Sequence, residues 1–221
     1  GFTMSHTYEP VYVSGRPGLF ADFLPRKRRT ILDVNNPVTM GTMANPDWYY
    51  EIKYQQVKAM EEAYSAVIEV DQAFSKLYER GYGLVEEYHV GDADAVILTY
   101  GGLFGTVKQA VDEMRGHGIS VGAARLRLFR PLPVNELRSL LSKSKAVVVL
   151  DRAFSNGLPT SGQVAAELKS LAYTFNITVP IYSYIVGIGQ RAVTESDISK
   201  ITGQVLEGKA PFNSVYWGVR E

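Results

Sequence analysis

The 221-residue chain contains no cysteine. It can therefore carry no disulfide framework, no thiolate metal site and no cysteine-held iron–sulfur cluster of its own. Charge of one sign is also missing, because Lys+Arg and Asp+Glu balance at 23 each. Without a global field to attract polyanions or anionic lipid, neither nucleic acid nor a membrane surface is an expected partner. No apolar run approaches the roughly 20 residues of a membrane span. The start, GFTMSHTYEP, lacks the basic and apolar regions of a secretory signal. Those absences together read as a cytoplasmic protein. Because residue 1 is glycine and not methionine, the chain is also expected to be a piece of a longer one. Histidine is scarce, at His6, His89 and His117, with no metal-ligand spacing. His6, between Ser5 and Thr7, reads more readily as a hydrogen-bonded structural residue than as a site. No GxSxG, no HExxH and no outstanding carboxylate pair occurs.

What is present is an ordinary globular composition, 46% hydrophobic and 21% charged. Residues 1–46 carry Pro10, Pro17, Pro25, Pro37 and Pro46 without hydrophobic periodicity, and read as an extended arm crossing a surface. The run Arg26-Lys27-Arg28-Arg29 within it is a solvated turn or a contact to an acidic neighbour in preference to a nucleic-acid patch, since no aromatics are interleaved. From Asp47 a helix is predicted to about Arg80, with Asn45 or Asp47 as N-cap and Gly81 and Gly83 as the stop. Its apolar series is Met60, Ala63, Val67, Val70, Phe74 and Leu77. At 1.5 Å per residue such a helix is about 50 Å long and overruns the domain behind it, so part of it has to lie on something else. Trp48, Tyr49, Tyr50 and Tyr54 crowd its first turns and call for a cover, from the arm or from a partner subunit.

Beyond Leu84–Tyr88, read as an edge strand, short β-branched runs alternate with helices. The strands are 95–100, 120–126, 146–150 and 179–185, and the helices 104–115, 134–141 and 162–172. Residues 92 to about 190 are thus predicted to form a doubly wound, mostly parallel α/β sheet covered on both faces. Ligands of such sheets lie beyond the carboxyl ends of the strands, which fixes the loops to inspect. In the turn Thr99–Thr106, Gly102, Gly105 and Thr106 open a helix and could hold an anion, although close strand–helix packing explains the glycines equally well and GxGxxG is incomplete. Arg125 and Arg127 alternate onto one side of their strand, and Arg130 beside Pro131 reads as a partner for an acidic residue across an interface. Asp151 could bind a ribose or belong to a buried network with Arg152. Thr194 and Asp197 form a capping box for a last helix.

Several stretches, in this order, resemble the α subunit of the 2-oxoacid:ferredoxin oxidoreductases, in the pyruvate (pyruvate synthase) branch. They are Gly1-Phe2 with Ser5-His6, Asn36–Thr42 with Asn45-Pro46-Asp47, Gly101 with Gly105-Thr106, Leu128-Phe129-Arg130-Pro131, and Leu150-Asp151-Arg152. The 2-oxoglutarate branch is expected to show Glu-x-Asn and then Gly-Gln where this chain has Asp151–Gly157, which favours pyruvate.

The resemblance implies a thiamine diphosphate enzyme that decarboxylates pyruvate, passes electrons through iron–sulfur clusters to ferredoxin and transfers the acetyl group to coenzyme A. It also implies that the domain supplying the activating glutamate lies before Gly1. No catalytic, cofactor-binding or metal-binding residue is therefore carried onto this chain, which is expected to hold no cofactor alone and to be inactive alone. Residues 1–46 become the end of that missing pyrimidine-binding domain plus a linker, 47–82 the long helix, and 83–221 a transketolase C-terminal-like domain with a role in assembly. Asn36, Thr39 and Asn45 are expected in hydrogen bonds along a seam with the missing domain or another subunit, beside Trp48, Tyr49 and Arg130. Two rivals share the fold: a stand-alone domain binding a nucleotide at Gly101–Thr106, and the C-terminal part of another thiamine enzyme.

Overall fold

The computed structural model describes residues 31–41 and 43–220. His6, the Arg26–Arg29 run, the Gly1-Phe2 and Ser5-His6 motifs, Thr42 and the first part of the proline-rich arm lie outside the described residues. The chain divides at Gly81/Tyr82 into two compact units.

The first unit is dominated by α1 (Pro46–Tyr78), a helix of 33 residues and about 50 Å. Pro46 sits where a missing N–H costs nothing. Asn45 is the N-cap by its extended backbone, but its side chain makes no capping bond; its carbonyl accepts from the Trp48 and Tyr49 amides. The glycine stop is corrected: the left-handed residue closing the helix is Glu79, two positions before Gly81. The apolar face is also rotated from the predicted one. Partial cover falls on Ala63, Tyr64, Val67, Ile68, Asp71, Phe74 and Tyr78, whereas Met60, Val70 and Leu77 stay exposed. No residue of α1 is fully buried. A helix of this length without a single buried side chain draws little stability from packing, which is where most helical stability in proteins arises.

The second unit is a six-stranded sheet in the order β1-β3-β2-β4-β5-β6. Its strands are β1 (Val85–Tyr88), β2 (Ala95–Tyr100), β3 (Val121–Leu126), β4 (Val147–Asp151), β5 (Ile181–Ile185) and β6 (Val215–Tyr216). All neighbours run parallel except β1, which is antiparallel to β3 with Val85 opposite Leu126. Strands β2 and β4 are buried along their length except at Tyr100, so they read as continuous apolar runs and not as alternating ones.

Side chains of α3 (Val134–Lys143) and α4 (Gln163–Thr174) pack on one face over Val96, Leu98, Val147 and Val149. Those of α2 (Phe104–Gly116) and α5 (Glu195–Leu206) pack on the other over Ile97, Val148, Leu150 and Tyr184. This two-sided cover is the predicted doubly wound α/β architecture. One boundary moves for a clear reason: β5 starts at Ile181 and not at Val179, because Pro180 lacks the N–H a ladder needs and contributes only its carbonyl, to Val147.

The capping box of α5 is present as predicted. Asp197 N–H donates to the Thr194 hydroxyl at 3.2 Å, and Thr194 N–H donates to the Asp197 carboxylate at 2.9 Å. The Thr194 amide, then the Trp217 indole and the Thr194 hydroxyl, hold the Asp197 carboxyl below the usual carboxylate range. A depressed folded value means stabilisation that is complete above the ordinary aspartate range and is lost as pH falls through it. We expect Asp197→Ala to cost about 1 kcal/mol at neutral pH, and the gap to the parent to narrow in urea unfolding as pH falls below the ordinary aspartate range.

Candidate functional site

The carboxyl edge of the sheet gathers the loops that follow β2, β3, β4 and β5, and the strand order reverses between β2 and β4. After β2, Gly101–Leu103 make a short 3-10 turn and α2 begins at Phe104. Gly101 has φ +66°, so glycine suits the turn there. Gly102 and Gly105 are different, since a Cβ at either would meet nothing within 4 Å. Close strand–helix packing therefore does not account for those two glycines. Leu103 and Phe104 are buried, and no side chain caps α2. Thr106 is half-buried one residue beyond Gly105.

At the end of β3 and just beyond it, Arg125 and Arg127 do share a side. Both donate to Glu86 of β1, Arg125 through Nε at 3.0 Å and Nη2 at 2.5 Å, Arg127 through Nη2 at 2.5 Å. Burial alone would raise the Glu86 carboxyl, but the two guanidiniums outweigh it and hold it below its ordinary value. Each arginine also covers an aromatic ring, Phe104 for Arg125 and Tyr82 for Arg127, both at 4.8 Å. Arg130 finds its acidic partner inside the chain. It makes two bonds to Glu167 of α4, at 2.8 and 2.5 Å, with its side chain half exposed.

After β4, the Asp151–Arg152 network is corrected. Asp151 is fully buried and faces α4, where Oδ1 accepts from Val164 N–H and Oδ2 from Ala165 N–H, each at 3.1 Å. It thus caps the helix that follows, a position the positive end of the helix dipole also favours. Burial nevertheless pushes its carboxyl above the usual range, against the pull of those two amides and the Tyr100 hydroxyl. Gly162 is required at this spot, because a Cβ there would sit 2.3 Å from Asp151 Oδ2. Arg152 turns the other way: its amide donates to the Tyr100 hydroxyl at 3.0 Å and its Nη2 to the Gly187 carbonyl at 3.4 Å. With both oxygens committed and no exposure, Asp151 does not offer itself to a ribose.

A cavity of about 350 Å³ opens beyond β5 and β6, lined by Phe154, Ile188, Arg191, Tyr216, Trp217 and Arg220 among others. Sequence reading reached its Ile185–Arg191 side but missed the wall from Tyr216 to Arg220. The available signal was the aromatic pair Tyr216-Trp217 followed three residues later by Arg220. A second, shallower hollow of about 400 Å³, lined by Ser142, Lys145 and Asn176 among others, flanks the segments that lead into β4 and β5. It lies at the opposite edge from the one where such sheets bind ligands.

In the first unit, Asn36, Thr39 and Asn45 are exposed, and the Asn36 amide donates to the Asp33 carbonyl at 3.2 Å. Trp48 is 66% and Tyr50 79% exposed, with Tyr49 and Tyr54 also open. Lys53 stands over the Tyr49 ring at 5.6 Å and Lys58 over Tyr54 at 5.4 Å. Among the described residues no group of three or more His, Asp or Glu could hold a metal ion, and no helix is long and apolar enough to cross a membrane.

Residues 93–198 match the pyruvate:ferredoxin oxidoreductase core domain II. Pyruvate synthase subunit PorA of Methanothermobacter thermautotrophicus is 33% identical across 100% of this chain and 56% of its own length. Ketoisovalerate oxidoreductase subunit VorA of Pyrococcus horikoshii is 38% identical across 90% of this chain and 51% of its own. The chain thus spans about half the length of the curated relatives it matches. Among solved structures, 2-oxoglutarate:ferredoxin oxidoreductase from Magnetococcus marinus aligns with 56% of this chain and 20% of its own, at 23% identity and a TM-score of 0.42. Within the 2-oxoacid:ferredoxin oxidoreductases, the chain is thus a homologue of the PorA subunit along its entire length and of the VorA subunit over 90% of it, and residues 93–198 of its α/β unit match the pyruvate:ferredoxin oxidoreductase core domain II.

Proposed function

We propose that the chain is part of the α subunit of a thiamine diphosphate-dependent 2-oxoacid:ferredoxin oxidoreductase, and that its contribution is structural. The observation that carries this reading is the similarity to PorA over 100% of the chain at 33% identity. Pyruvate is the 2-oxoacid of this reading, with acetyl-CoA, CO2 and reduced ferredoxin as products. A branched 2-oxoacid is the second reading, favoured by the 38% identity to a ketoisovalerate oxidoreductase subunit. Thiamine diphosphate, coenzyme A and the iron–sulfur clusters belong to the complete complex. The cluster thiolates have to come from outside these 221 residues, which contain no cysteine.

Within the complex, residues 1–46, the long helix and the α/β unit from residue 83 act as arm, strut and assembly domain. Asn36, Thr39, Asn45, Trp48 and Tyr49 form the seam toward the pyrimidine-binding domain or a neighbouring subunit. Arg130, already paired to Glu167, keeps half its side chain open at the rim of such a contact. Large aromatics in a cluster are the usual anchors of protein interfaces.

The complex purified with this chain in place should reduce ferredoxin with pyruvate and coenzyme A, with kcat/KM for pyruvate above that for ketoisovalerate. A reversed preference selects the branched substrate, and no turnover of either refutes the reading. Trp48→Ser with Tyr49→Ser should leave α/β-unit folding intact by circular dichroism while weakening subunit association by roughly a hundredfold, the loss expected of two anchors. Unchanged association at low nanomolar protein removes these residues from the seam.

A further inference from the structure

The cavity beyond β5 and β6 has features that neither the assembly role nor the cofactors of the complex account for. Its volume, about 350 Å³, lies within the range of small-molecule sites, and it sits at the sheet edge where such folds take ligands. Its walls are mostly apolar: Phe154, Ile185, Ile188, Tyr216, Trp217 and Val219. Among the described residues, the charged side chains lining it are Arg191 and Arg220. No carboxylate, carboxamide or serine/threonine hydroxyl of the described residues joins them.

The walls are held from behind. The Tyr216 hydroxyl donates to Ser161 Oγ at 2.8 Å, and its ring meets Phe154 edge to face at 5.6 Å. The Trp217 indole donates to Asp197 at 3.1 Å, and the Trp217 amide donates to the Ile185 carbonyl at 2.9 Å. Arg191 donates through Nη1 to the Gly218 carbonyl, which leaves its other donors, while Arg220 makes no hydrogen bond or ion pair among the described residues.

We infer that this cavity binds an amphipathic organic anion, a compound with an aryl or branched apolar body and a single carboxylate or phosphate head. The body lies against Phe154, Tyr216 and Trp217, and the head meets Arg220 and the remaining donors of Arg191. Arginine is suited to both heads, because its planar fork matches either one bidentately. A nucleotide fits less well: a base and sugar bring several donors and acceptors, and beyond the arginines the described lining side chains offer only the Tyr216 hydroxyl and the Trp217 indole N–H, already spent on Ser161 and Asp197. The inference does not rest on the oxidoreductase reading, since it uses only groups on this chain.

The chain's tryptophans supply an internal control, Trp217 in the wall of the cavity and Trp48 in the first unit. In 1H–15N spectra of the 15N-labelled 221-residue chain, phenylacetate and phenyl phosphate should each shift the Trp217 indole signal saturably, with a Kd of about 0.1–1 mM. The Trp48 signal should stay in place. Arg220→Gln should weaken the effective probe roughly tenfold, the loss expected for one charge-assisted contact. Because Arg220 is exposed and makes no bonds among the described residues, this substitution leaves the described fold alone. Saturation by one probe only names the head group and still supports the site. Four results overturn the inference: no movement of Trp217 with either probe, equal movement of both indoles, an affinity unchanged by Arg220→Gln, or AMP or inorganic phosphate binding as tightly as phenyl phosphate.

Discussion

Gly122→Ala should lower the stability of the α/β unit by about 3 kcal/mol, near the upper end for overpacking a core. Gly122 lies in β3, between β1 and β2, and the turn leaving β1 passes directly over it. A Cβ there would stand 2.4 Å from the His89 carbonyl oxygen, 2.8 Å from its carbon and 3.0 Å from the Val90 Cα. All three are backbone atoms, so no rotamer change relieves the clash. Either β3 moves, against its register with β1 and β2, or the turn moves and drags Val90 out of the core. Urea unfolding followed by circular dichroism should give a lower midpoint at unchanged slope. Gly203→Ala, in α5 with nothing within 4 Å of its Cβ, is the control and should stabilise by about 0.5–1 kcal/mol. Equal midpoints for the two variants would refute the crossing.

Asp151→Ala should cost about 2–3 kcal/mol, because it strands the Val164 and Ala165 amides in a space no water reaches. The expected loss is not larger because the carboxylate itself is uncomfortable there, as its raised proton affinity records. Gly162→Ala alone should also destabilise, by driving its new methyl into the Asp151 carboxylate. Combined with Asp151→Ala that methyl loses its two carboxylate clashes and keeps the contact with Ser183 Oγ at 2.9 Å, so the double variant should lose clearly less than the sum of the singles. Additive losses would mean that the two residues do not share the space.

Sequence made the α/β layering legible because the strands are buried on both faces. Runs such as Ala95–Leu98 and Val147–Leu150 have no polar alternation to confuse them with a half-exposed sheet. The α5 cap was legible for the same kind of reason, since its signal is local. Where partners come from distant segments, reading failed. Asp151 reaches 13 residues ahead to Val164, and Arg130 reaches 37 residues ahead to Glu167. Neither spacing is periodic, so sequence could only offer Arg152 and an interface as partners. The face of α1 was misphased because Tyr64, Ile68 and Tyr78 were not counted as covered positions, while Met60 and Leu77 were counted although they are open. The cavity wall at Tyr216–Arg220 escaped because β6 is only two residues long and follows no repeating pattern.

The rims of the sheet have a consequence of their own. On one side lies β1, four residues long with Glu86 and Glu87 at its centre; on the other lies β6, two residues long and partly covered. Short, charged margins of this kind deny a foreign strand any length of main chain to zip onto. These margins therefore resist edge-to-edge aggregation, and whatever docks along them has to recognise side chains and shape, because among the described residues β-augmentation finds no long template.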